Sequence, residues 1–168
     1  MAHNLLFQET QSFRNTWMFF IILGIAVFAW CNAIQQFVYG VEMGSNPVSD
    51  LELVILLIVF GVILPVLFYI NKLETRVYDD GIYIRYYPFH LSYRKYSFED
   101  IKNYKSITYS ALKEYGGWGI RYKLRGKTKA YNVCGNSGVL LEFKDGKKLL
   151  IGSQKVDELS SVINSKVH

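Results

Sequence analysis

The sequence predicts an α+β membrane protein: a two-helix transmembrane hairpin followed by an antiparallel β-barrel or sandwich of about seven strands closed by a C-terminal helix. Three observations carry this. Residues 51–70, LELVILLIVFGVILPVLFYI, hold one acidic side chain, Glu52, and no basic one; at ~1.5 Å rise per residue they cover ~30 Å, the hydrocarbon thickness of a bilayer. Residues 16–37 form a second uncharged run of spanning length. Beyond Ile70 the pattern changes to alternation, rich in tyrosine and β-branched residues and punctuated by Asp-Gly and Gly-Gly turns.

Residues 1–15 are mixed, with Phe7, Phe13 and Trp17 apolar between Gln8, Glu9, Gln11 and Arg14, and are expected as an interfacial segment. The hairpin follows over 16–70, with spans at about 16–37 and 51–70. Gly24, Ala26, Ala29 and Ala33 offer small surfaces for helix packing, and Pro65 is expected to kink the second span. The connection 38–50 contains Gly40, Gly44, Ser45, Asn46 and Pro47 and no Lys or Arg. Of the 19 Lys and Arg only Arg14 precedes Asn71, so the positive-inside rule places both termini in the cytoplasm of a multi-pass inner-membrane protein.

Residues 71–168 are long enough for one small cytoplasmic domain. Strands are expected near 73–77, 82–87, 91–98, 101–109, 120–124, 130–133, 139–143 and 148–151, with tight turns at Asp79-Asp80-Gly81 and Asp145-Gly146. Ser153 is the expected N-cap of a final helix; Asp157 and Glu158 sit in its first turn, and Val156, Leu159, Val162, Ile163 and Val167 share one face.

The strings Phe7-x-Glu9-x-Gln11-x-Phe13-Arg14-x-x-Trp17, Gly116-Gly117-Trp118-Gly119-Ile120-Arg121, Asn132-Val133-x-Gly135-Asn136-x-Gly138-Val139 and Ile151-Gly152-Ser153-Gln154 run through nearly the whole chain. With the two spans and the closing helix, the chain resembles small uncharacterised two-span prokaryotic (bacterial or archaeal) membrane proteins carrying a bacterial pleckstrin-homology-like (PH-like) domain. That resemblance implies a PH-like fold, binding of lipid or a partner, and oligomerisation rather than catalysis.

The chemistry-bearing residues point the same way. His3, His90 and His168 are scattered, Cys31 and Cys134 lie in different segments, and Glu99 and Asp100 are neighbours that a strand sends to opposite faces. No catalytic, cofactor or metal site is expected, and the protein is read as a non-enzyme. Arg121, Lys123 and Arg125 alternate along one strand face, with Lys127 and Lys129 extending the basic set through a turn. Together with Trp118 and Tyr122 they are the candidate lipid- or partner-binding residues, since basic residues near an anionic leaflet attract its headgroups. A location at the membrane does not suit nucleic acid. Asn32, Gln35 and Gln36 are candidate intramembrane polar contacts. The expected function is a membrane-anchored interaction or scaffold module that binds membrane lipids, itself as a homo-oligomer, or a membrane protein partner. The alternative is a small oligomeric channel or transporter subunit lined by Asn32, Gln35 and Gln36.

Overall fold

The computed structural model describes residues 4–41, 48–123 and 128–167. The chain divides into two compact units: residues 12–71, and a discontinuous unit made of residues 1–11 and 72–168.

The first unit is a pair of long apolar helices, α1 (Trp17–Tyr39) and α2 (Asp50–Ile70), both long and apolar enough to be candidate membrane spans. Phe20, Phe28, Leu51, Ile55 and Ile63 are exposed along them, a distribution suited to a hydrocarbon solvent. Gly40 closes α1 in the left-handed conformation, at φ 65°, and its N–H donates to the Gln35 carbonyl. The lone acid of the second run has a structural role: Ser49 and Glu52 form a capping box, with the Ser49 N–H on Glu52 Oε2 at 2.9 Å. Ala26, Ala33 and Leu53 are buried where the helices pack, whereas Gly24 has nothing near its Cβ position and takes no part in that packing.

Within α2, residues Leu57–Ile63 are wound as π-helix. Pro65 explains why: without an N–H, and with a ring that crowds the preceding turn, it disturbs the i→i−4 ladder. The Trp30 indole N–H donates to the Gly61 carbonyl at 3.3 Å, the group a residue at position 65 would pair in an unbroken α-helix. A side chain at Gly61 would meet Leu57 Cδ1 at 2.9 Å and Trp30 Nε1 at 3.2 Å. At the other end of the hairpin the Phe13 N–H donates to the Asn71 carbonyl at 3.1 Å, and Phe13 and Phe68 meet edge to face at 5.5 Å.

The second unit holds two sheets. One contains β1 (Leu5–Ser12), β2 (Lys72–Tyr78), β3 (Gly81–Tyr87) and β4 (Arg94–Tyr96) in that order. The other contains β5 (Ile101–Thr108), β6 (Gly119–Tyr122), β7 (Thr128–Asn132), β8 (Ser137–Phe143) and β9 (Lys148–Gly152) in the order β5-β8-β9-β7-β6. Two departures from expectation stand out. The segment expected at the membrane interface is strand β1, because Phe7, Glu9 and Gln11 alternate inward. The pairing is not purely antiparallel either, since β7 runs parallel to β9 with Ala130 opposite Leu150.

A short helix, α3 (Ala111–Tyr115), was not expected between β5 and β6. Ser110 caps it with a hydroxyl that accepts from the Lys113 N–H at 3.3 Å, and Gly116 ends it in the left-handed region. The Gly116-Gly117-Trp118-Gly119 string is therefore a helix stop and strand entry, all three glycines having φ between 70° and 128°. The final helix, α4 (Val156–Asn164), buries Leu159 and Ile163 completely and packs on β5 and β8. It begins later than expected, with Lys155 at the cap position. The Ser153 hydroxyl accepts from the Lys155 N–H at 3.0 Å and donates to Glu9 Oε2 at 2.5 Å.

That last bond belongs to a clamp on β1. Glu9 Oε1 accepts the Gln154 N–H at 2.8 Å, and Gln11 Nε2 donates to the Gly152 carbonyl at 2.8 Å. Gly152 faces Gly138 across the β8–β9 ladder, and a Cβ there would lie 2.8 Å from the Tyr109 hydroxyl. Removing one partner of such a buried set strands the others, at about 1–3 kcal/mol. Glu9→Ala is expected to destabilise the β unit by that amount, read as a lower denaturation midpoint in near-ultraviolet circular dichroism; Glu99→Ala, on an exposed turn, is expected to leave the midpoint in place.

Candidate anion-binding groove

A groove of about 500 Å³ lies in the β unit between β4 of one sheet and β7, β8 and β9 of the other. Its floor is Tyr96 against Phe143, ring centroids 5.6 Å apart, with Leu149 beside them. Five lysines line it, Lys95, Lys129, Lys144, Lys147 and Lys148, against two carboxylates, Asp100 and Asp145. Strand alternation and a tight turn position these lysines. Lys95 follows strand alternation on β4, opposite Tyr83. Lys144 and Lys147 flank the Asp145-Gly146 turn, closed by the Phe143 N–H on the Lys147 carbonyl at 2.9 Å and tied down by the Lys144 N–H on the Asp100 carbonyl at 2.9 Å. Lys129, half-buried on β7, lies over the Tyr131 ring at 4.8 Å.

The charges are partly engaged. Lys95 pairs with Asp80 at 2.5 Å, Lys147 with Asp145 at 2.6 Å, and Lys148 with Glu142 at 3.5 Å. The hydrogen bond to Asp80 holds Lys95 above its ordinary range, and the bond to Asp145 does the same for Lys147. Among the described residues no carboxylate lies within ion-pair distance of Lys129 or Lys144. Exposed ion pairs contribute little to stability, so an incoming anion can take over these lysines at small cost. Tyr96 is pushed up to about 12, first by burial and then by Tyr131, and stays a neutral phenol at the groove floor.

The described members of the basic set expected from sequence, Arg121, Lys123 and Lys129, meet different partners. Arg121 Nε donates to the Trp118 carbonyl at 3.0 Å, and Lys123 pairs with Glu114 at 3.1 Å. Trp118 packs into the core cluster of Tyr109, Ala111, Tyr115, Ala130 and Leu150. Tyr122 is exposed beneath the Lys129 ammonium, 5.9 Å from its ring centre. Arg125 and Lys127 lie outside the described residues. Of the described residues of that set only Lys129 lines the groove; the other four groove lysines come from β4 and the β8–β9 hairpin.

In the helical unit, Asn32 and Gln36 line a cavity of about 320 Å³ with Phe28, Leu53 and Phe60. Asn32 Nδ2 donates to the Phe28 carbonyl of its own helix at 2.7 Å, and Gln36 Nε2 donates to Asp50 Oδ1 at 2.7 Å. Gln35 is half-buried outside that lining, its carbonyl receiving the Gly40 and Val41 N–H groups.

Residues 2–168 match a family described as a family of unknown function, DUF6141. The chain belongs to that family. The DUF6141 match runs through both the helical pair and the two sheets. Comparison with curated proteins finds no match.

The outer face of the first sheet in this DUF6141 chain carries a charged cluster. Glu74 accepts from Tyr93 at 2.5 Å and Arg85 at 2.6 Å, and pairs with Lys72 at 2.8 Å. Burial alone would raise this carboxyl, but the bonds from Lys72, Tyr93 and Arg85 outweigh it and hold the group at about 2. A depressed carboxyl stabilises the fold above its unfolded value of ~4.3 and loses that contribution as pH falls through about 2. Urea midpoints of wild type are expected to drop over that window, and Glu74→Gln to lower the neutral-pH midpoint while flattening the acid-side drop.

Proposed function

We propose that the chain is a membrane-anchored, non-catalytic recognition module whose groove receives the anionic side chains of an acidic segment on a partner protein. The observation that carries this is the convergence of five lysines from three elements on one aromatic-floored groove. Apolar floor and cationic walls together fit an acidic peptide with an apolar residue among its carboxylates. Two sheets with a C-terminal helix laid on β5 and β8 support reading the β unit as PH-like, and the concentration of Lys and Arg beyond Asn71 supports a cytoplasmic orientation.

A bilayer headgroup is the weaker occupant on register grounds. Tyr96 sits opposite Ile82, next to the Gly81 end of the first sheet, while the chain enters that sheet at the other end, where Lys72 pairs with Tyr87. From Ile82 to Tyr87 is about 16 Å along the strand. A pore lined by Asn32, Gln35 and Gln36 is not the reading adopted, because Asn32 and Gln36 satisfy their amides within one hairpin.

The test uses the full chain in nanodiscs of neutral phosphatidylcholine and a fluorescent glutamate-rich peptide containing one tryptophan, followed by anisotropy. Binding that weakens with salt is expected, and a Lys129→Glu, Lys144→Glu variant is expected to bind about tenfold or more weakly, about 1.4 kcal/mol. Lys105→Glu on β5 is the charge control. Equal loss in both variants, or none in either, would contradict the assignment.

A further inference from the structure

The loop between β3 and β4 presents an apolar tip that nothing in the fold requires. Phe89 is 65% and Leu91 81% exposed, while His90 between them is 9% exposed. His90 fixes the arrangement: its N–H donates to the Tyr86 carbonyl at 2.8 Å, and its ring meets Tyr131 edge-on at 5.5 Å. With His90 held inward, its two neighbours are turned outward. Burial, then the charges of Arg94 and Lys129, push the imidazole below its ordinary range, so it packs as a neutral ring.

Register tells where this tip emerges. Lys72, two residues beyond the last residue of α2, pairs with Tyr87, and the loop begins at the next residue. The Asn4 N–H on Asp79 at 3.1 Å puts the start of β1 by the β2–β3 turn, so β1 also runs toward the Lys72 end. The end of the sheet that carries Phe89 and Leu91 is thus the end where the chain departs for α1 and returns from α2. Exposed Arg94 and half-buried Lys72 flank the tip with positive charge.

We propose that the β3–β4 loop is a membrane-contact wedge, with Phe89 and Leu91 entering the headgroup–acyl boundary of the bilayer and Arg94 meeting its phosphates. This rests on reading α1 and α2 as membrane spans. Apolar side chains beside basic ones favour the interfacial zone, and the short covalent tether makes that contact effectively intramolecular. The wedge loop and the lysine groove meet at β7, where His90 packs on Tyr131 and Lys129 lies over the same ring.

The experiment uses the full chain with Cys31→Ser and Cys134→Ser, carrying one cysteine at Phe89, Leu91, Asp145 or Val62, each labelled with an environment-sensitive fluorophore in phosphatidylcholine vesicles. Labels at 89 and 91 are expected to emit to the blue of the label at 145 and to be quenched by lipids spin-labelled near the headgroup. The label at 62 is expected to be quenched by lipids spin-labelled deep in the acyl chain. Water-like, unquenched emission at 89 and 91 with quenching at 62 overturns the wedge alone. No quenching at 62 overturns the spans, and the wedge with them.

Discussion

Hydrogen bonding around Glu9 and Gln11 sets the architecture of this protein. A strand of eight residues at the edge of a sheet, with Leu5 and Leu6 exposed, has little apolar area with which to hold itself in place. Buried polar bonds supply what burial does not. Glu9 satisfies the Ser153 hydroxyl and the Gln154 N–H, and Gln11 reaches the Gly152 carbonyl, so β1 is fastened to the end of β9, 141 to 145 residues away in sequence. Gly138 and Gly152 let β8 and β9 approach closely beside this clamp, since a Cβ at Gly138 would meet the Ile151 carbonyl oxygen and one at Gly152 the Tyr109 hydroxyl. Because β1 and β2 are neighbours in one sheet, the helical pair becomes an insertion between two strands rather than an appendage before a domain.

That insertion gives the first sheet two chemically different ends. At the Lys72 end stand the chain's connections to α1 and α2, the Lys72–Glu74–Arg85 cluster and the apolar tip at Phe89 and Leu91. At the Gly81 end, Tyr96 and Lys95 join the β8–β9 hairpin to form the basic groove. The charge of the β unit is therefore not an even coat. Residues such as Arg121 and Lys123 are held in local bonds, while the groove gathers five lysines, of which Lys95, Lys147 and Lys148 pair with Asp80, Asp145 and Glu142. Electrostatic attraction of that kind acts chiefly on encounter and specificity and weakens with salt.

Much of the fold is legible in the sequence because its signals are local. Two runs of spanning length, the Asp79-Asp80-Gly81 and Asp145-Gly146 turns, and the apolar face ending in Leu159 and Ile163 all appear where composition and period put them. What was not legible depends on distant partners. Residues 5–12 alternate like a strand, but only Ser153 and Gln154 explain why Glu9 and Gln11 point inward. The parallel pairing of β7 with β9 is a tertiary choice that no turn encodes. The groove is not legible in the sequence for the same reason: Lys95, Lys129 and Lys144 are far apart in sequence and meet through strand order, whereas Arg121 and Lys123 of the contiguous basic run are held by a local carbonyl and a carboxylate. The strings that carry the family resemblance, by contrast, prove to be structural neighbours, since Glu9, Gln11, Gly152, Ser153 and Gln154 form one clamp.

The proposal on which the others rest is that the two long apolar helices, inserted between two paired strands, cross a bilayer as a hairpin, so that residues 4–11, 72–123 and 128–167 lie on one side of it. Single cysteines at Asn4, Ser45 and Asp145, reacted with a membrane-impermeant maleimide in sealed vesicles of both orientations, test this most directly. Positions 4 and 145 are expected to label from the same side and position 45 only from the other. Labelling of positions 4 and 145 from opposite sides, or of position 45 together with them, would contradict it.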